Sequence, residues 1–344
     1  MIRFGILGFG LHAAKRLMQG FSQAKNCRAY ALSRRDMLKA QASARQFNIP
    51  LAFDSAEELC RSNEVDAVLV TTPNSCHVSD VLLAVKYGKP VLCEKPMGNS
   101  ADECRRMVEA ARQGNVLLGV AHIFRFDVSV NRLRDRVAAG QIGNPVFARS
   151  EFSFPGMHGH PRAWLNDPQI AGGGPIADIG VHCIDTLRYI LQDEVLRVSA
   201  RGTYDEKFGK VETAAALTLE FSRGTLGLAP VSYRAEYRTP LELVGDAGVL
   251  RADDGLNVDK PVTIRLLRGG ALVESETVSN QLAYGLQVDA FAEAIEGKSK
   301  FPIPGEEGWQ NQEILDAAFR SLRSGKAEAV PSVVAGVPAR ASVA

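Results

Sequence analysis

Asp178 and His182 stand four residues apart in the stretch Gly172-Gly-Gly-Pro-Ile-Ala-Asp178-Ile-Gly-Val-His182-Cys-Ile-Asp185. On a helix that spacing projects both side chains from one face. An acid that orients and charges an imidazole is the usual apparatus for moving a proton to or from a substrate hydroxyl near neutral pH. The same spacing also suits a capped core helix whose polar residues satisfy one another, so other segments must decide. Lys95, in Glu94-Lys95-Pro96, carries an ammonium able to hydrogen-bond a reacting oxygen and to stabilise alkoxide character as a hydride leaves or arrives. Pro96 fixes the turn that presents it and suits a cis bond. A lysine merely paired with Glu94 is the structural alternative.

Hydride chemistry needs a dinucleotide, and the amino terminus has the pattern for one. Ile2-Arg-Phe-Gly-Ile-Leu-Gly8 reads as a buried strand running into Gly8-Phe9-Gly10-Leu11-His12-Ala13, with a helix from about Leu11 to Gln19. Gly8 permits the tight turn, Gly10 leaves room for a pyrophosphate, and small Ala13 lets the helix lie close to the strand. The phosphates would sit on the helix amino end, beside Leu11 and His12. A second strand, Arg28 to Leu32, leads into Ser33-Arg34-Arg35 where an NAD site would carry an acid. A hydroxyl and two guanidinium groups suit a 2′-phosphate, so NADP is favoured and NAD is the alternative, with Asp36 as its ribose ligand. Thr72, Pro73, Asn74 and His77 follow the apolar run Asp66–Thr71, and Glu94 and Lys95 follow Pro90–Cys93. In a doubly wound parallel sheet these strand ends form the ligand crevice, beside the nicotinamide half of the cofactor.

The glycine turn, Thr72-Pro73-Asn74, Glu94-Lys95-Pro96 and the Asp178/His182 helix together resemble the glucose–fructose oxidoreductase and inositol dehydrogenase family, called Gfo/Idh/MocA. The resemblance covers nearly the whole chain, through Gly119-Val-Ala-His122-Ile-Phe-Arg125-Phe, Ala171-Gly-Gly-Gly-Pro and Gly305-Glu-Glu-Gly. Ala13 in place of the third glycine is the chief departure. The resemblance implies that Lys95, Asp178 and His182 form the catalytic group of an NAD(P)-dependent enzyme. It further implies oxidation of a secondary alcohol on a sugar, polyol or similar compound, or reduction of the ketone. Two alternatives come with it: a sensor using the pockets for binding only, and a cofactor-recycling enzyme of the glycosidase type that returns the hydride to its own substrate.

The elements that must hold these residues read as two domains. Strand and helix patterns alternate over 1–121, which calls for an α/β Rossmann domain with a parallel sheet. From Asn144 longer alternating runs appear, Val146–Ser153, Glu212–Phe221, Gly224–Tyr233 and Val262–Arg268, joined by glycine turns at Ser222-Arg-Gly and Gly269-Gly270. They predict an α+β domain over 122–330 with a mostly antiparallel open sheet, for substrate binding and oligomerisation, followed by a loose tail over 331–344. Helices from about Leu286 and Trp309 are expected to lean back toward the cofactor domain. His122, Arg125 and Trp164 join Asp178 and His182 as expected substrate contacts. The long loop 154–172 adds His158, His160, Arg162, Asn166 and Asp167. His158-Gly-His160 has no further ligand at metal spacing, so no metal is expected. Asp185 suits either orienting His182 or pairing with Arg188.

Forty basic and thirty-nine acidic residues among 344 leave a net charge of +1, which points to neither nucleic acid nor an anionic membrane as partner. No apolar run is long enough to span a bilayer, and the opening strand leaves no expected signal sequence. Six cysteines without paired spacing suit a reducing cytoplasm. A homodimer or homotetramer through one sheet face is expected, chiefly as what the family resemblance implies.

Overall fold

Short apolar runs alternating with helices can pair only in parallel, because each helix returns the chain to the same end of the sheet. The structure is a computed structural model and describes residues 1–156 and 163–333. The chain divides into two compact units, Met1–Ile123 with Leu282–Trp309, and Phe124–Gln281 with the residues from Gln310 onward. Leu282–Trp309 of the first unit lies inside the range 122–330 in sequence.

The first unit holds six parallel strands, β1 (Ile2–Leu7), β2 (Cys27–Ser33), β3 (Leu51–Phe53), β4 (Ala67–Val70), β5 (Val91–Cys93) and β6 (Leu118–Val120). Their order is β3-β2-β1-β4-β5-β6. This is the doubly wound Rossmann order, with its switch point between β1 and β4. Because all six run one way, Gly8, Arg34, Thr71 and Glu94 follow their strands at one end of the sheet. Phe4, Ile6, Leu7, Leu69, Val70 and Leu92 are wholly buried and form the core that fixes this end. The helix after the glycine turn opens as a π-helix over Ala13–Leu17 and continues as an α-helix over Met18–Gln23, beyond the expected end at Gln19. It packs on helix Ala283–Ile295 of the same unit, where a Cβ on Gly20 would stand 2.7 Å from Tyr284 Cβ. The outer edge of β6 is covered, since Val120 N donates to Ile303 O at 3.0 Å.

The second unit is built on β7 (Pro145–Ser150), β8 (Phe152–Ser153), β9 (Val195–Tyr204), β10 (Glu212–Phe221), β11 (Leu226–Ser232), β12 (Leu241–Gly245), β13 (Val249–Ala252), β14 (Val262–Arg268), β15 (Ala271–Val278) and β16 (Glu328–Ala329). The order is β15-β14-β13-β12-β7-β11-β10-β9-β16, with β8 beside β11. Only the pairs of β11 with β7 and β8 are parallel, so the open sheet is mostly antiparallel. The run expected over Val146–Ser153 breaks at Glu151, whose buried carboxylate takes Arg149 and Arg238. Helix Val181–Leu191 packs on β7 and on helix Val128–Ala138. Phe147, Leu226 and Leu228, from adjacent strands, are 46%, 39% and 40% exposed.

Candidate active site

In the first unit the glycine turn is dictated by backbone geometry. Gly8 has φ +77°, and a Cβ there would stand 2.5 Å from Thr72 Cγ2, so conformation and space both exclude a side chain. Thr71 Oγ1 braces the turn by donating to Leu7 O at 2.9 Å and Gly8 O at 3.0 Å. Phe9 turns inward, 5.4 Å from the Phe47 ring, and its N–H takes Ser33 O at 3.0 Å. Gly10 is exposed, and its nearest crowding atom for a Cβ is Gly8 O at 3.6 Å. An open glycine backbone leading to a helix amino end, with Leu11 37% exposed, fits a dinucleotide diphosphate.

At the end of β2, Ser33 is buried and Arg34 Nη1 donates to Ser43 Oγ at 2.8 Å, while Arg35 is exposed. Asp36 is the cap of helix Met37–Phe47, accepting from Lys39 N at 3.1 Å. That amide holds its carboxyl below the usual range. Asp36, the alternative ribose ligand, thus caps a helix through one oxygen and is itself exposed.

Lys95 is half-buried and joined to Pro96 by a cis bond. Glu94 beside it is buried, with Oε1 2.9 Å from His12 Nε2 and Oε2 accepting Lys95 N at 3.2 Å. Burial raises this carboxyl, but the hydrogen-bonded His12 together with Lys95 outweighs it and leaves it below the usual range. Thr72 Oγ1 donates to Asp80 at 2.7 Å, and Asn74 is buried. His77, expected to face the cofactor, is instead fully buried, with Nε2 2.9 Å from Thr72 O and Nδ1 3.0 Å from Pro96 O. It braces the Thr72 turn against the Lys95–Pro96 turn. Burial holds its imidazole below the ordinary value, against the pull of both carbonyls. His122 is buried at the end of β6.

In the second unit the triple glycine is likewise a matter of space. Gly172 has φ +77° and ends helix Pro168–Ala171. A Cβ on Gly173 would stand 2.3 Å from Phe319 Cζ, and one on Gly174 would stand 2.1 Å from Glu212 O. Both oxygens of Glu212 accept Gly174 N at 3.0 Å, and Oε1 also accepts Ile176 N at 3.0 Å. Burial raises this carboxyl despite the two amides. Asp178 then lies in a π-helix, Ile176–Gly180, and His182 in the α-helix Val181–Leu191 that continues it. The two side chains are 7% and 8% exposed, so the buried helix reading and the catalytic one share these residues. Asp178 Oδ2 accepts the hydroxyl of wholly buried Tyr233 at 3.0 Å. The His182 ring lies 4.8 Å from Phe124, edge to face, and 6.2 Å from Phe152.

Arg125, expected at the substrate, is held in a buried pair with Asp185, Nη2 to Oδ1 at 2.7 Å, with its guanidinium 5.1 Å from the Tyr189 ring centre. Asn311 Nδ2 also donates to Asp185 at 2.8 Å. Arg188 pairs with Glu194 at 2.7 Å. Trp164 is half-buried in a 3₁₀ turn, Ala163–Asn166. His158, His160 and Arg162 lie outside the described residues. Among the described residues no group of three His, Cys, Asp or Glu could hold a metal, and no helix is long and apolar enough to cross a membrane.

Residues 2–122 match the oxidoreductase family with an NAD-binding Rossmann fold, and residues 130–251 match the GFO/IDH/MocA C-terminal domain. The chain belongs to the Gfo/Idh/MocA oxidoreductases. It is 31% identical over 332 residues to a 1,5-anhydro-D-fructose reductase of Ensifer adhaerens, covering 95% of this chain and 98% of that one. It is 30% identical to a D-xylose 1-dehydrogenase (NADP(+)) of Haloferax volcanii, covering 94% and 98%. Among solved structures, an aldose-aldose oxidoreductase from Caulobacter crescentus complexed with glycerol superposes with a TM-score of 0.87 at 25% identity, covering 95% and 99%. As a Gfo/Idh/MocA oxidoreductase the chain carries an NAD(P)-binding domain of Rossmann type.

Sequence reasoning did not single out Tyr233 or Glu212, which hold the Asp178 segment. The one available signal for Glu212 was an acid opening a strand that continues as Thr-Ala-Ala-Ala-Leu, where a charge has no place unless it is paired.

Proposed function

We propose that this enzyme interconverts a secondary alcohol and a ketone on a carbohydrate-like substrate, with NADP as the favoured cofactor. The cradle would be formed by Gly8 to His12, and Ser33, Arg34 and Arg35 would face the 2′-phosphate. When bound, the nicotinamide supplies the hydride acceptor or donor. Lys95 is assigned to the substrate oxygen, where its ammonium offsets alkoxide charge. His182 is assigned to the proton of that hydroxyl, taking it in oxidation and returning it in reduction. Asp178 orients the imidazole and stabilises its charged form, and Tyr233 in turn fixes Asp178. His122 and Trp164 are assigned to binding the remainder of the substrate.

The observation that carries this reading is the Tyr233–Asp178 hydrogen bond on the segment that leads into His182. A capped core helix does not require a buried acid with its own donor. The relatives named as a reductase and a dehydrogenase of sugars support the substrate class. A second reading, in which the hydride passes to another carbonyl without net cofactor change, is favoured by the likeness to an aldose-aldose oxidoreductase.

The test is nicotinamide absorbance with NADP and NAD, in both directions, over sugars, inositols, sugar acids and keto-sugars, with Lys95→Met alongside. Turnover that Lys95→Met abolishes without loss of cofactor affinity is expected. A variant that keeps substantial activity refutes the assignment. Turnover only when two sugars are present, with no net absorbance change, would favour the second reading. A homodimer or homotetramer is proposed as well, supported by the exposed Phe147, Leu226 and Leu228 on the open sheet. A cytoplasmic location is supported by six cysteines that form no disulfide.

A further inference from the structure

His12 is the sole titratable side chain in the glycine turn Gly8–Ala13. Its partner, Glu94, bridges two elements. One carboxylate oxygen meets His12 Nε2 at 2.9 Å, and the other accepts the backbone N–H of Lys95 at 3.2 Å. One buried carboxylate thus ties the phosphate-binding turn to the residue assigned to the substrate oxygen. The side chain of His12 is 31% exposed and that of Glu94 11%, so solvent protons reach the imidazole while the acid stays inside.

The surroundings of the pair are mixed in charge. Tyr284, from helix Ala283–Ile295, lies edge-on to His12 with ring centres 6.1 Å apart. Lys15 and Arg16 follow on the same helix as His12. On the Glu94 side stand Lys95, whose charge also favours the carboxylate, His77, kept toward its neutral form by burial, and Asp80, whose carboxyl burial raises. Among the described residues, Glu94 is the anion in hydrogen-bonding contact with His12. A neutral imidazole with its proton on Nε2 already satisfies that contact, so a second proton is optional until another negative charge arrives. A dinucleotide diphosphate on the helix amino end brings such a charge to the backbone of Leu11 and His12.

We propose that His12 takes up a proton from solvent as the dinucleotide binds, converting its hydrogen bond with Glu94 into an ion pair that fixes the segment carrying Lys95. The proposal rests on the cofactor reading given above. No bond to the cofactor is made or broken; the imidazole changes from one N–H to two. A charged hydrogen bond is shorter and stronger than a neutral one, so cofactor occupancy would tighten the Lys95 backbone without any new contact to it.

The test is calorimetric titration of NADH and NADPH into the full chain at pH 7, 8 and 9, in buffer pairs of different ionisation heat. His12→Gln is the comparison, since its amide can still donate to Glu94 but cannot become charged. The wild-type protein is expected to take up a fraction of a proton per dinucleotide at pH 7 and almost none at pH 9. Its dissociation constant then weakens with pH by at most about tenfold per unit. His12→Gln is expected to show neither uptake nor pH dependence. The 2′-phosphate of NADPH exchanges protons in both proteins alike, so the difference between them reads His12. Equal uptake in both proteins, or none in the wild type, overturns the proposal. Failure of the wild type to bind either dinucleotide overturns the cofactor reading and the proposal with it. Should His12→Gln not fold, His12→Asn gives the same comparison.

Discussion

Replacing Asp127 by Asn should make the protein more stable at neutral pH, and the gain should grow as pH rises. Asp127 precedes helix Val128–Ala138 but its side chain makes no cap hydrogen bond. It is 0% exposed, and neither carboxylate oxygen has a partner among the described residues. Burial therefore pushes this carboxyl well above the ordinary range. In the unfolded chain the group loses its proton near pH 4, whereas the folded protein keeps it to higher pH. The folded state then binds more protons, so stability is full below the unfolded value and falls as pH rises toward the folded one. The slope is at most about 1.4 kcal/mol per pH unit. Asn has the same shape and no ionisation, so it abolishes that slope. For a unit of this size about 1 kcal/mol moves the melting temperature by roughly 2–4 °C. The advantage of Asp127→Asn over wild type should thus widen by up to roughly 3–6 °C per unit between pH 5 and pH 7, read by calorimetric melting at both. An advantage that is equal at the two pH values, or that shrinks toward pH 7, would refute the reasoning.

Three further outcomes follow from named contacts. Tyr233→Phe removes the donor to Asp178, a hydrogen bond to a charged group of about 1.5–3 kcal/mol. It should lower kcat by roughly 10- to 150-fold and move the acid limb of the pH–rate profile upward, since a lost donor disfavours the carboxylate. Unchanged kcat and an unmoved limb would detach Tyr233 from the site. Arg125→Met removes the guanidinium that pairs with buried Asp185, and breaking such a pair costs about 3–5 kcal/mol. Melting should fall by roughly 6–20 °C, and a substrate role with no loss of stability would be the contrary result. Arg34→Ala should weaken NADP binding by about 1–3 kcal/mol and spare NAD. Equal losses for both, by fluorescence titration, would argue against a 2′-phosphate contact.

The roles of His77 and Arg125 mark where reading along the chain stops. Both have the chemistry of a site residue and both sit in motifs that suggest one. The carbonyls that flank His77 lie 5 and 19 residues away, and the partner of Arg125 lies 60 residues away. Burial and pairing that depend on such contacts leave no local signature. The same holds for Glu212, which seizes amides 36 and 38 residues earlier. The π-helical turns at Ala13–Leu17 and Ile176–Gly180 were also hidden, because a single π turn within a helix carries no residue signature of its own.

What the sequence determined by itself was whatever short-range physics controls. Strands alternating with helices impose a parallel sheet, alternating runs with glycine turns impose antiparallel hairpins, and a glycine at φ +77° permits the dinucleotide turn. The four-residue spacing of Asp178 and His182 is of the same kind. The tertiary structure alone decided which polar side chains are occupied inside the fold: His77 between two carbonyls, Arg125 on Asp185, and Glu94 between His12 and the Lys95 backbone. Occupancy of this sort is settled by desolvation. A buried polar group must take whatever partner the packing brings to it, and packing belongs to the whole chain.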